Sequence, residues 1–271
     1  MTLTLRHSWL AAVAALAAAC RHSPPDAPLI RIVAHDFGYE LPTEVPAGLV
    51  HFRLVNTGGD NHEAQVVQFT TEAGRAALYV DSVRADVDFP AFAEDFGGAG
   101  LAGPGDSTEA WLNLAPGHYA VVCWKGDHLQ RGMAHDFTVV EARQSVPPPT
   151  ADVEIALHDF SYGIMGPLTD GRHLLHVTNR GTAPHEVDLI YLPAGVTAQD
   201  YMAWLAGGEA GQPPARQIGG GGDFVPGREV WFPITLHPGR YIIICQVPSA
   251  ADGRPWRSGS ASSCWWRWRS S

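Results

Sequence analysis

The chain repeats itself. His35-Asp-Phe-x-Tyr39 recurs as His158-Asp-Phe-x-Tyr162, Gly48 and Asn56 recur as Gly171 and Asn179, and His62-Glu63 recurs as His185-Glu186, all at an offset of 123 residues. Further on, Leu114-x-Pro-Gly117-x-Tyr119-x3-Cys123 recurs as Leu236-x-Pro-Gly239-x-Tyr241-x3-Cys245 at an offset of 122. A register held over so many positions marks a tandem duplication, so one fold must satisfy both halves. The stretch Val146-Pro-Pro-Pro-Thr150 separates the copies, and its prolines suit a stiff spacer.

Each copy reads as all-β. Leu29 to Val33, Leu49 to Val55, Glu63 to Phe69, Ala110 to Leu114 and Tyr119 to Trp124 alternate or run apolar over strand length. Val153 to Leu157, Leu174 to Thr178, Glu186 to Tyr191, Val230 to Leu236 and Tyr241 to Gln246 do the same in the second copy. The 29 Gly and 21 Pro among 271 residues supply the turns between them. Short strands punctuated in this way fold as a sandwich or a barrel. Glu72 to Ala85 and Ala198 to Leu205 read as helical, the second capped by Thr197 with Asp200 three residues on. Gly97-Gly98 and the run Gly219 to Gly222 are expected to be mobile loop.

The net charge of -10 argues against nucleic acid, which calls for a basic face. Arg6 and His7 precede an apolar, Ala-rich run from Trp9 to Ala19 that ends at Cys20. The run has the length of a secretory signal core and is too short to span a membrane. Cys20 after a small-residue run is similar to a bacterial lipoprotein signal, in which that cysteine carries the lipid anchor. The protein is therefore expected to be exported, periplasmic or membrane-anchored. The expected organisation is a leader over 1–20, a linker over 21–28, a first domain over 29–143, a Pro-rich linker over 144–151, a second domain over 152–253 and an atypical tail over 254–271.

The loop that ends the first copy carries the chemistry: Cys123-Trp-Lys-Gly-Asp-His128-Leu-Gln-Arg-Gly-Met133, with His62 placed 61 residues before the cysteine. One thiolate, two imidazoles and a thioether form a soft, mixed donor set suited to one copper ion that cycles between Cu(I) and Cu(II). Zinc competes for one Cys and two His but seldom recruits a thioether. Taken singly, each residue has an ordinary structural role; four in register on a repeated β scaffold favour the metal. His35, His118 and His135 are read as structural or surface residues, with His135, two residues after Met133, the one of the three most open to being a ligand instead. These residues resemble the cupredoxin, or blue-copper, superfamily. That resemblance implies two tandem Greek-key β-sandwiches, copper held by His62, Cys123, His128 and Met133, and one-electron transfer with a redox partner protein. Members often carry Asn after the first His ligand; Glu63 stands there in this chain, and Glu63 and Asn56 are the candidates to brace the ligands.

The second copy keeps His185 and Cys245, but Gln246 to Trp256 brings neither His nor Met. A degenerate site without copper is expected there. The tail, Cys264-Trp-Trp-Arg-Trp-Arg-Ser-Ser, matches no strand of the first copy, so the second sandwich is expected to be incomplete at its C-terminal strand, with a shifted reading frame as the cause. No His-x-His pair occurs, and on that ground an electron carrier or copper-binding protein is expected rather than an enzyme. The alternatives are a copper storage or delivery protein and a metal-free periplasmic interaction module.

Overall fold

A computed structural model of the chain describes residues 26–85, 87, 90–142 and 146–247, together with the backbone of 265–270. The leader with Cys20 and most of the 254–271 tail lie outside the described residues. The first copy forms β1 (Leu29–His35), β2 (Gly38–Glu40), β3 (Glu44–Pro46), β4 (Gly48–Asn56), β5 (His62–Phe69), α1 (Ala76–Arg84), β6 (Ala93–Ala102), β7 (Ser107–Leu114), β8 (Gly117–Val122) and β9 (Ala134–Val140). The second forms β10 (Val153–His158), β11 (Ser161–Met165), β12 (Gly171–Asn179), β13 (His185–Leu192), α2 (Ala198–Ala206), β14 (Arg216–Phe224), β15 (Glu229–Leu236), β16 (Gly239–Ile244) and β17 (Trp265–Ser270).

The architecture is all-β, and both sheets run through both copies. One has the order β11-β10-β12-β15-β7-β4-β1-β2 and the other β17-β16-β13-β14-β6-β5-β8-β9-β3. Outward from the middle, where β7 meets β15 at Trp111 and Trp231 and β6 meets β14 at Phe96 and Phe224, the order reads the same in both directions, except that β3 beyond β9 has no counterpart beyond β17. Like elements therefore face each other across the seam, as in an isologous contact between two identical subunits. Strand alternation explains the core: β1 buries Ile30, Ile32 and Ala34 and turns the residues between them outward. A single apolar cluster then runs from Phe52, Leu54 and Leu112 in the first copy to Val177, Leu189 and Phe232 in the second.

Tyr119 and Tyr241 close the corner before β8 and before β16 in the same way, their hydroxyls donating to the carbonyls of Ala115 at 2.9 Å and His237 at 2.7 Å. This return bond ties the strand carrying the cysteine to the preceding corner. Thr197 caps α2: its hydroxyl accepts the Asp200 amide at 3.2 Å, and the Asp200 carboxylate accepts the Thr197 amide at 2.7 Å.

Two expectations are corrected. Gly97-Gly98 and Gly219 to Gly222 are strand, not loop: they lie in β6 and β14, at the seam. A Cβ at Gly100 would come within 2.6 Å of the Gly220 carbonyl oxygen, and one at Gly98 within 1.9 Å of the Ala64 oxygen. These glycines permit close backbone approach. The place of the last strand in the second copy is also filled. The backbone of β17 pairs antiparallel with β16, Ile244 opposite Trp265 and Gly239 opposite Ser270, just as β9 pairs with β8. The Trp/Arg alternation at 266–269 has the period of two that a strand needs.

Candidate metal centre

His62 opens β5, Cys123 follows the end of β8, and His128 sits in the loop that leads to β9. The loop is folded by its own backbone: the His128 amide donates to the Lys125 carbonyl at 3.1 Å and the Met133 amide to the His128 carbonyl at 2.9 Å. The Cys123 amide then meets the Met133 carbonyl at 3.2 Å. These bonds return the chain to the sheet ten residues after the cysteine and place Met133, fully buried, in the core cluster that also contains Cys123.

The three stronger donors converge. His62 Nδ1 stands 3.2 Å from His128 Nδ1, and Cys123 Sγ stands 3.5 Å from His128 Nδ1. One donor atom from each of the three residues lies within 4.8 Å of the others. Among the described residues this is the one group of three or more His, Cys, Asp or Glu side chains so arranged. His62 and Cys123 are inaccessible to solvent, and His128 is 7% exposed. His135 stays outside: its Nδ1 faces the Asp136 carbonyl at 2.8 Å.

Burial shapes the acid-base behaviour of the cluster. The Cys123 thiol is pushed up to about 12, chiefly by burial and then by the nearby Glu63 carboxylate. Burial and the neighbouring His62 hold His128 below its ordinary value. A neutral imidazole and a thiol that needs a cation to lose its proton are what a metal-binding pocket presents when empty of charge.

Glu63 braces the cysteine loop, its Oε1 accepting the Trp124 amide at 2.8 Å. The carboxylate thus sits on the residue next to Cys123. Its value is raised to about 7, first by burial and then by Asp223. Asn56 acts one layer further out. It donates to the carbonyls of Asp60 at 2.7 Å and Ala102 at 2.9 Å and accepts the Gly58 amide at 2.8 Å, which fixes the loop before His62.

Asp36 is the residue that sequence reasoning missed. Its Oδ1 lies 2.9 Å from His62 Nε2, on the ring edge away from the cluster. The Gly59 amide and His62 hold this carboxyl down at about 2. The signal was the repeated His-Asp-Phe motif, since Asp159 meets His185 Nε2 at 2.9 Å in the second copy.

That second copy is a partial replica. His185 Nδ1 lies 3.8 Å from Cys245 Sγ, and the Glu186 amide donates to Sγ at 3.4 Å. No third donor of these types joins them among the described residues. Between the two copies lies a cavity of ≈ 110 Å³ lined in part by Glu63, Trp124, Lys125, Glu186, Asp188 and Asp223.

No protein-family model matches the chain, and no curated protein sequence matches it. Solved structures do. Auracyanin from Roseiflexus castenholzii aligns with 24% identity and a TM-score of 0.33 over 42% of this chain and 98% of its own. A multicopper oxidase aligns with 14% identity and a TM-score of 0.27 over 92% of this chain and 93% of its own. A copper-containing nitrite reductase from Thermus scotoductus also aligns, at 12% identity and a TM-score of 0.24, over 90% of this chain and 61% of its own. The expectation that the chain is no enzyme is not upheld: a multicopper oxidase and a nitrite reductase, both enzymes, stand among the structures that align with it. The donor chemistry of the cluster is what suits a single copper ion.

Proposed function

We propose that the chain is an exported copper protein whose first copy holds one type 1 copper through His62, Cys123, His128 and Met133 and exchanges single electrons with a redox partner protein. The convergence of two imidazole nitrogens and one sulfur within 4.8 Å, in a site where only His128 retains slight exposure, carries this reading. A copper ion bound there supplies a one-electron couple between Cu(I) and Cu(II). The residues do the rest. Cys123 gives the thiolate, and His62 and His128 present Nδ1. Met133 offers a thioether from the buried end of the loop. Burial keeps water from the cluster, and Glu63 on the Trp124 amide holds the cysteine loop in place. Ligands held on β5 and on the β8–β9 loop of one sheet move little between oxidation states, which keeps reorganisation small. Cys20 is proposed as a lipid anchor; among the described residues no helix is long and apolar enough to cross a membrane.

Metal analysis with potentiometry tests this reading. The expected result is one copper per chain, titrating reversibly as a single one-electron couple. Copper bound only as Cu(I), with no stable oxidised form, would favour storage or delivery instead.

A further inference from the structure

Resting on the copper reading above, we propose that Asp36 is a charged positioning residue that holds His62 with Nδ1 toward the metal and lowers the copper potential. The contact is built from several sides. The Asp36 carboxylate takes His62 Nε2 at 2.9 Å, the Gly59 amide at 2.9 Å and 3.1 Å, and the Asp60 amide at 3.3 Å. It projects from the tight turn between β1 and β2, whose register pairs His35 with Gly38.

Space is kept for it. A Cβ at Gly58 would lie 2.3 Å from Asp36 Oδ1 and 2.8 Å from His62 Nε2. The second copy preserves both parts: a Cβ at Gly181 would lie 2.5 Å from Asp159 Oδ1 and 2.5 Å from His185 Nε2. Glycine at these positions admits a carboxylate against the ring. His128 has no such partner, since its closest carboxylate, Asp60 Oδ2, is 4.0 Å from Nε2. The two imidazoles are therefore inequivalent, one fixed by a full negative charge and the other not.

A carboxylate accepting Nε2–H fixes the tautomer and strengthens Nδ1 as a donor. Its charge also favours the more positive oxidation state of a metal on the far side of the ring. Asn at position 36 keeps an acceptor oxygen and removes the charge. If the loss weakens the preference for Cu(II) about tenfold, the midpoint potential rises by about 59 mV for a one-electron couple.

The test compares the full chain with its Asp36→Asn and Gly58→Ala variants, copper-loaded and copper-free. The expected result is a raised potential in both variants with the thiolate-to-copper band retained. In the copper-free chain, nitrogen NMR should find the His62 proton on Nε2. A potential in Asp36→Asn equal to that of the parent, with only the melting temperature lowered, would reduce Asp36 to a loop cap and overturn the proposal. Should Asp36→Asn fail to fold, Gly58→Ala supplies the same comparison. A parent that forms no coloured copper centre overturns the copper reading instead. The copper-free spectrum then still decides the contact, a proton on Nδ1 counting against it.

Discussion

Cys123 begins as a thiol that burial has made hard to ionise. Its value near 12 means that at pH 7 the proton leaves only when a cation arrives to take its place. His128, held low by burial, has no proton to give at that pH. Copper(II) uptake at pH 7 is therefore expected to release about one proton per ion from the cluster, and a pH-stat titration measures it. The Cys123→Ser variant is expected to release none, and an equal release from that variant would place the bound ion elsewhere. The meeting of Cys123 and His128 was legible in the sequence, because the C-x4-H-x4-M spacing sits on a single loop, and the structure brings His62 to them. Asp36 could not be assigned a role in this way. It meets His62 across 26 positions only once the two sheets that carry β1 and β5 pack together, and an acidic residue in a turn has no local mark that says which ring it will face.

At the scale of elements, alternation predicted most strands because each has one buried face; β1 and β4 are the clearest cases. β6 and β14 escaped because their glycines carry no side chain to alternate. What made them look like loop is what the seam requires. The Gly97 Cβ position lies 2.7 Å from the Gly221 oxygen, and that of Gly100 lies 2.6 Å from the Gly220 oxygen, so backbone meets backbone where the copies join. The tail misled in the opposite direction. Tryptophan and arginine alternating at 266–269 were set aside for their composition, yet their period of two matches the open edge of β16. An uncovered edge of that kind is a template for pairing with other chains.

On the scale of the whole molecule, the duplication was visible from two constant offsets, but the continuity of the sheets was not. Repeats in sequence do not reveal whether two domains pack loosely or share their strands. The shared seam gathers acid: Asp95 and Asp188 are buried and Glu63, Glu186 and Asp223 half-buried, and all five are raised above their ordinary values, desolvation being the first cause for each. In the folded chain these carboxyls keep protons that the unfolded chain gives up from about pH 3.8 for the aspartates and 4.5 for the glutamates, so raising the pH favours unfolding until they ionise; for Glu63 that window closes near 7. His51 and His128, held low by burial, act in the opposite sense below about 6.5 but are fewer. The copper-free chain is thus expected to melt at a higher temperature at pH 5 than at pH 8, as scanning calorimetry would measure. An unchanged or reversed order would mean that the seam carboxylates are solvated or paired with cations.

Everything functional depends on the Cys123 sulfur bonding a Cu(II) ion that two imidazoles also hold, and visible absorption of the copper-loaded chain reports that bond most directly. The account predicts an intense thiolate-to-Cu(II) band, bleached by reductant, restored by oxidant and absent from Cys123→Ser. A colourless loaded chain, or a band that survives in Cys123→Ser, would contradict it.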